Sequence, residues 1–150
     1  MLVSTLIYVE KDDSYLMLHR IKKQGDVNKD KWIGVGGKLE VGETVRECAE
    51  RELNEETGLT AQKLDYRGIV YFENTLYPSE EMHLFTCDMF SGRLTDCDEG
   101  ELEWVKKRDI DKLNIWEGDR IFLKLLSEGA PFFELTLKYD GDKLIESALK

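Results

Sequence analysis

The chain has 150 residues, 41% hydrophobic and 35% charged, which suits one domain with a real core and is short for two. No apolar run approaches the roughly 18 residues of a membrane helix, and a formal net charge of −10 argues against binding polymeric nucleic acid. Three cysteines (Cys48, Cys87 and Cys97) without a CxxC pair or a Cys/His cluster indicate neither zinc nor a disulfide framework.

In chain order, residues 2–10 are rich in β-branched and aromatic types and read as a strand, not a leader peptide, because no basic region precedes them. A cytoplasmic protein is therefore expected. Asp12-Asp13 turns the chain into a second strand, Tyr15–His19. A loop with Arg20, Lys22, Lys23, Lys29 and Lys31 follows, then a short strand at Trp32–Val35 and a glycine-rich loop through Gly34, Gly36, Gly37 and Gly42. Thr44 and Glu47 fit a capping box, Val45, Cys48, Ala49 and Leu53 form one apolar stripe, and Gly58 suits a C-terminal cap. The pattern predicts a helix over Val45–Thr57. Leu64–Glu73 and Met82–Phe90 read as strands and Glu101–Val105 as a shorter one. A helical turn at Arg108–Leu113, a helix at Gly118–Ser127 and a C-terminal hairpin turning at Asp140-Gly141 complete the chain. Strands mixed with a few helices predict an α/β fold, a sheet with helices on its faces, in a single domain over residues 1–150.

The helix over 45–57 is more acidic than a helix should be. Glu52 shares a face with Glu55 and Glu56, and all three stand at the negative end of the helix dipole. Arg51 offsets only part of that repulsion. A solvated acidic face and a divalent-cation site both fit the spacing; several hard oxygen ligands suit Mg²⁺ or Mn²⁺.

Gly37, five residues, Glu43, seven residues, then Arg51-Glu52-Leu53-Asn54-Glu55-Glu56-Thr57-Gly58-Leu59 resembles the signature of the Nudix hydrolases at every defined position. The resemblance implies an α/β/α sandwich with a mixed sheet and a loop–helix–loop. It implies a Mg²⁺ site (Mn²⁺ as a substitute) made by Glu52, Glu55, Glu56 and the Gly37 carbonyl. Arg51 would orient the glutamates and Glu43 would support the loop. The general base stays open between Glu55, Glu56 and Glu99, the last on an acidic loop where MutT-like members carry such a glutamate.

Outside the signature, Lys31-Trp32, Gly36-Gly37-Lys38, Ile69-Val70-Tyr71-Phe72, Ile115-Trp116 with Asp119 and the tail around Pro131–Tyr139 are similar to MutT/MutX-type hydrolases of oxidised purine nucleotides. That likeness implies a small-molecule nucleotide substrate, 8-oxo-dGTP first, cut at the β-phosphorus to monophosphate and pyrophosphate. Such activity sanitises the nucleotide pool and spares DNA repair. Trp116 would wall the base and Asp119 read a purine edge, with Trp32 and Tyr71 beside them. Arg20 and Lys38 would meet the phosphates. Two departures weaken the match: Ile33 stands where animal members read the base with asparagine, and Gly118-Asp119 leaves one acid of a usual pair. Other substrates therefore stay open, a dinucleoside polyphosphate or an ADP-ribose type, as does a non-catalytic nucleotide-binding module. A calcium-binding loop does not fit, since no D-x-D-x-D-G run occurs. Monomer and homodimer are both compatible.

Overall fold

The computed structural model describes all 150 residues. Eight strands form the sheet: β1 (Leu2–Lys11), β2 (Ser14–Arg20), β3 (Trp32–Ile33), β4 (Thr60–Asn74), β5 (Glu80–Ser91), β6 (Gly100–Lys106), β7 (Phe133–Asp140) and β8 (Lys143–Leu149). Two α-helices, α1 (Val45–Thr57) and α2 (Asp119–Ser127), and a 3₁₀ segment at Lys107–Lys112 complete the fold. The strand order is β3-β2-β1-β5-β4-β7-β8, with β6 on the other edge of β2. β1 runs parallel to β5 and β4 parallel to β7, while the remaining pairs are antiparallel, so the sheet is mixed.

Side chains alternate across a strand, and here both sides are apolar. On β1, Leu6 and Tyr8 enter the cluster under α2, and Ile7 and Val9 enter the cluster under α1. β2 repeats the division, with Tyr15 and Met17 on one side and Leu16 and Leu18 on the other. Strands buried on both faces read as continuous apolar runs, as residues 2–10 do. The outcome is the expected α/β/α sandwich.

β1 and β2 form a hairpin and then part company. They pair only at Glu10/Tyr15 and Lys11/Ser14, through a turn whose central residues Asp12 and Asp13 are both left-handed, with φ of 50° and 59°. That geometry matches the twist of the strands, and aspartate tolerates it better than most residues. Beyond the turn, the freed edge of β1 is met by the glycine-rich segment: Ile7 bridges to Val35 and Ser4 to Lys38. The predicted strand Trp32–Val35 therefore shrinks to Trp32–Ile33, because Val35 leaves β2 for β1. β4 and β5 exceed their predicted spans because β4 has a ladder partner on each side and β1 lies along β5. A ladder holds polar positions that an apolar pattern misses.

Candidate active site

The site begins with the cap of α1. The Glu47 amide donates to Thr44 Oγ1 at 3.1 Å and the Thr44 amide to Glu47 Oε1 at 3.0 Å, a complete capping box. Gly58 ends the helix in the left-handed conformation, φ 81°, its amide donating to the Asn54 carbonyl. Cys48, Ala49 and Leu53 are buried against the sheet, which sets the rotation of the helix and hence where its glutamates emerge.

The acidic residues are not equivalent. Glu56 is buried, 8% exposed, and its Oε2 has no hydrogen-bond donor. Burial, and then the Glu99 and Glu52 carboxylates, hold its pKa well above the ordinary glutamate value, while Arg20 pulls the other way. Glu55 lies at the rim. Arg51 joins the group: Nε meets Glu43 at 2.7 Å, and Nη1 meets Glu52 at 2.8 Å and Glu55 at 3.2 Å. Its Nη2 also donates to the Lys38 carbonyl at 3.2 Å, tying the helix to the loop. The guanidinium in turn lowers Glu43 to about 2. Gly37 packs directly on Glu52: a Cβ there would fall 2.5 Å from both carboxylate oxygens, so a larger residue would displace the glutamate. The Gly37 carbonyl accepts from the Thr5 amide at 2.9 Å and, at longer range, from the Thr5 hydroxyl at 3.5 Å and the Cys48 thiol at 3.6 Å.

These residues fit a divalent cation. The Glu56 oxygen without a donor and the crowding of Glu52, Glu56 and Glu99 are what a hard cation relieves, and the donors are all oxygen. The side chains do not form a ready-made cage of three, because Arg51 holds Glu52 and Glu55.

Around this centre the structure distributes the expected substrate residues unevenly. Arg20 is buried, and its guanidinium is already committed to Asp26 at 2.9 Å and Glu99 at 3.1 Å. Lys38 makes no side-chain ion pair and stands on the loop beside Arg51. Trp32 stacks on His19 with centroids 4.4 Å apart. Trp116 is buried in the α2-side cluster, edge-on to Phe72 and Tyr139, and its indole N–H donates to Asn28 Oδ1 at 2.8 Å. Asp119 opens α2 on the same side, buried, and burial raises its carboxyl to about 8 although Lys31 and Arg120 pull it down.

Tyr71 departs from expectation. Its neighbours Val70 and Phe72 enter the cluster that holds Trp116, so the two-residue period sends Tyr71 to the opposite face. There it donates to Glu134 at 2.9 Å, and Phe72 is the residue of that stretch beside Trp116.

Asp26, Asn28 and Tyr8 escaped the sequence reading, and Lys31 entered it only in the basic loop and beside Trp32, without a role. Lys31 Nζ lies 4.9 Å over the Trp116 ring, and Tyr8 carries a buried hydroxyl with no partner on the side of Asp119.

Comparison with known proteins places the chain in a family. A family model described as the NUDIX domain matches residues 2–126. The chain is 33% identical to a Danio rerio protein named oxidized purine nucleoside triphosphate hydrolase, over 97% of this chain and 92% of that one. The Mus musculus protein of the same name is 30% identical with the same coverage. A crystal structure of a MutT protein from Bacillus halodurans superposes with a TM-score of 0.89 at 26% identity, covering 100% of this chain and 98% of that one.

Proposed function

Because this chain belongs to the Nudix hydrolase family, we propose that it is a magnesium-dependent pyrophosphohydrolase of nucleoside triphosphates, with oxidised purine nucleotides such as 8-oxo-dGTP as substrates. The observation that carries the hydrolytic reading is the buried, donor-less Glu56 carboxylate facing Glu52 and Glu99. Such a group costs stability in the empty protein, and a cation with its water relieves that cost. Bound magnesium would be held by Glu52, Glu56 and the Gly37 carbonyl, with Glu55 completing the set, and would neutralise phosphate charge and acidify water.

The chain's own residues do the rest. Arg51, braced by Glu43, holds Glu52 and Glu55 in place. Glu99, outside the signature and against Glu56, is the carboxylate we assign to accept the proton from the attacking water. Lys38, free of ion pairs, meets the triphosphate. On the other side, Trp116 walls the base and Asp119 presents a carboxyl kept protonated near neutral pH, able both to donate and to accept at a purine edge. The names of the Danio rerio and Mus musculus relatives support an oxidised purine.

The test is turnover of 8-oxo-dGTP beside dGTP, dATP, a dinucleoside polyphosphate and ADP-ribose, with Mg²⁺ and with chelator. Monophosphate and pyrophosphate formed faster from 8-oxo-dGTP, and lost with chelator and in Glu56→Gln, support the assignment. Faster cleavage of another compound would keep the catalytic site and replace the substrate. Nucleotide binding without turnover would leave a binding module.

A further inference from the structure

The segment joining β2 to β3, residues 21–31, is tied at its neck. The Arg20 amide donates to the Lys31 carbonyl at 2.9 Å and the Asp30 amide to the Arg20 carbonyl at 2.7 Å. Inside it lies Asp26, an aspartate whose side chain is only 5% exposed. Its two oxygens have different partners: Oδ2 accepts from Arg20 Nε at 2.9 Å, and Oδ1 accepts from the Asn28 amide at 3.0 Å. Each partner continues outward. Arg20 Nη1 reaches Glu99 Oε2 at 3.1 Å, and Asn28 Oδ1 accepts the Trp116 indole N–H at 2.8 Å. A continuous series of polar contacts thus runs Trp116–Asn28–Asp26–Arg20–Glu99, three hydrogen bonds and a final ion pair, from the wall of the base pocket to the carboxylate beside Glu56.

We infer that Asp26 is a positioning residue that couples base recognition at Trp116 to the placement of Glu99, so that the identity of the base is expressed in turnover as well as in binding. The inference rests on the proposed function for the roles of Trp116 and Glu99. Physically, a buried carboxylate with both oxygens engaged cannot release one partner without stranding an acceptor out of water, which is costly. Two rigid links flank it, the planar Arg20 fork and the backbone amide of Asn28. A base that seats Trp116 correctly keeps Asn28, Asp26 and Arg20 in register and holds Glu99 against Glu56. A base that tilts the indole pulls on Asn28 Oδ1, and the displacement is passed along the series because the Asp26 carboxylate has no partners besides Arg20 and the Asn28 amide.

Two measurements test the coupling. The first separates kcat from KM for 8-oxo-dGTP and dGTP in wild type, Asn28→Ala, Asn28→Asp, Glu99→Gln and the Asn28→Ala/Glu99→Gln pair. Asn28→Ala removes the acceptor for the indole and touches neither Glu99 nor Glu56. It should lower kcat for the preferred nucleotide about tenfold, the scale of one lost polar link in a buried network, and leave dGTP nearly unchanged. Asn28→Asp keeps the acceptor and should restore the difference. In the Glu99→Gln background, Asn28→Ala should add little. Effects that multiply independently, or a change confined to KM, would overturn the inference.

The second measurement needs no turnover: the NMR position of the Trp116 indole proton in nucleotide-free wild type, Asp26→Asn and Glu99→Gln. A shift on Glu99→Gln, from the far end of the series, supports the coupling even if the substrate assignment fails. An indole proton indifferent to both substitutions overturns it even in an enzyme that prefers 8-oxo-dGTP.

Discussion

Glu56 and Asp119 are both carboxylic acids out of water, yet their surroundings point to opposite uses. Glu56 faces other carboxylates, so a cation relieves it. Asp119 stands apart from other acids, raised to about 8 by burial itself, and holds a proton near neutrality. In the unfolded chain Asp119 titrates near 3.8. Between those values the unfolded chain has released a proton that the native chain retains, so rising pH favours unfolding. The contribution of this group is complete below about pH 4, declines as the pH climbs to about 8 and then levels. Asp119→Asn should flatten the thermal stability profile across that window, as calorimetry at a series of pH values would show. An unchanged slope would mean that the carboxyl ionises in the folded protein. At Gly37 the expectation is local: Gly37→Ala places a methyl on the Glu52 carboxylate, so kcat should fall at least tenfold with little change in melting temperature.

Helix α1 carries its chemistry because its ends are held. Thr44→Ala removes one half of the capping box and should cost about 1 kcal/mol, or about 2–4 °C in melting temperature for a chain of this size. Gly58→Ala should cost more. It forces a Cβ into a left-handed residue, about 1–2 kcal/mol by itself, and sets that Cβ 2.6 Å from the Arg93 carbonyl. Thermal melts of both variants, set beside their kcat values, would show whether the helix frays away from its glutamates. The same element shows how far periodicity reaches. The cap, the stripe and the glycine stop were readable because each uses interactions within four residues, and the helix spans Val45–Thr57 as the pattern predicts. Trp32–Val35 misled, because only β1, through Ile7 at 28 positions' remove, decides that Val35 leaves β2.

Across the whole molecule, the proposed function assigns hydrolysis to one side of the sheet and recognition to the other. The α1 face carries Leu53 and its neighbours beside the glutamates proposed to hold the metal, and the α2 face carries Trp116, Phe122 and Tyr139. β1 and the segment at residues 21–31 connect the two. A magnesium ion at the proposed site would bind the native arrangement and not the unfolded chain, so it should raise the melting temperature, with a gain of about 2.7 kcal/mol at a hundredfold excess over Kd. Glu52→Gln and Glu56→Gln, each compared with its own metal-free melt, should abolish that gain in calorimetry. A gain that survives both would place the cation elsewhere.

What the sequence determined by itself was everything local or carried by a motif. That covers the family, the sandwich, the helix with its caps, and the cluster of Glu52, Glu55, Glu56 and Arg51, which helical spacing forces together. Tertiary structure alone decided that Tyr71 faces away from Trp116, that Arg20 is engaged by Asp26 and Glu99, and that Glu56 rather than Glu55 is buried. Those outcomes depend on which face a strand buries and on side chains that meet across long stretches of chain. Asp26 and Glu99 are 73 positions apart and ordinary in composition, and only the packed loop, closed at its neck on β2, makes them neighbours of one guanidinium.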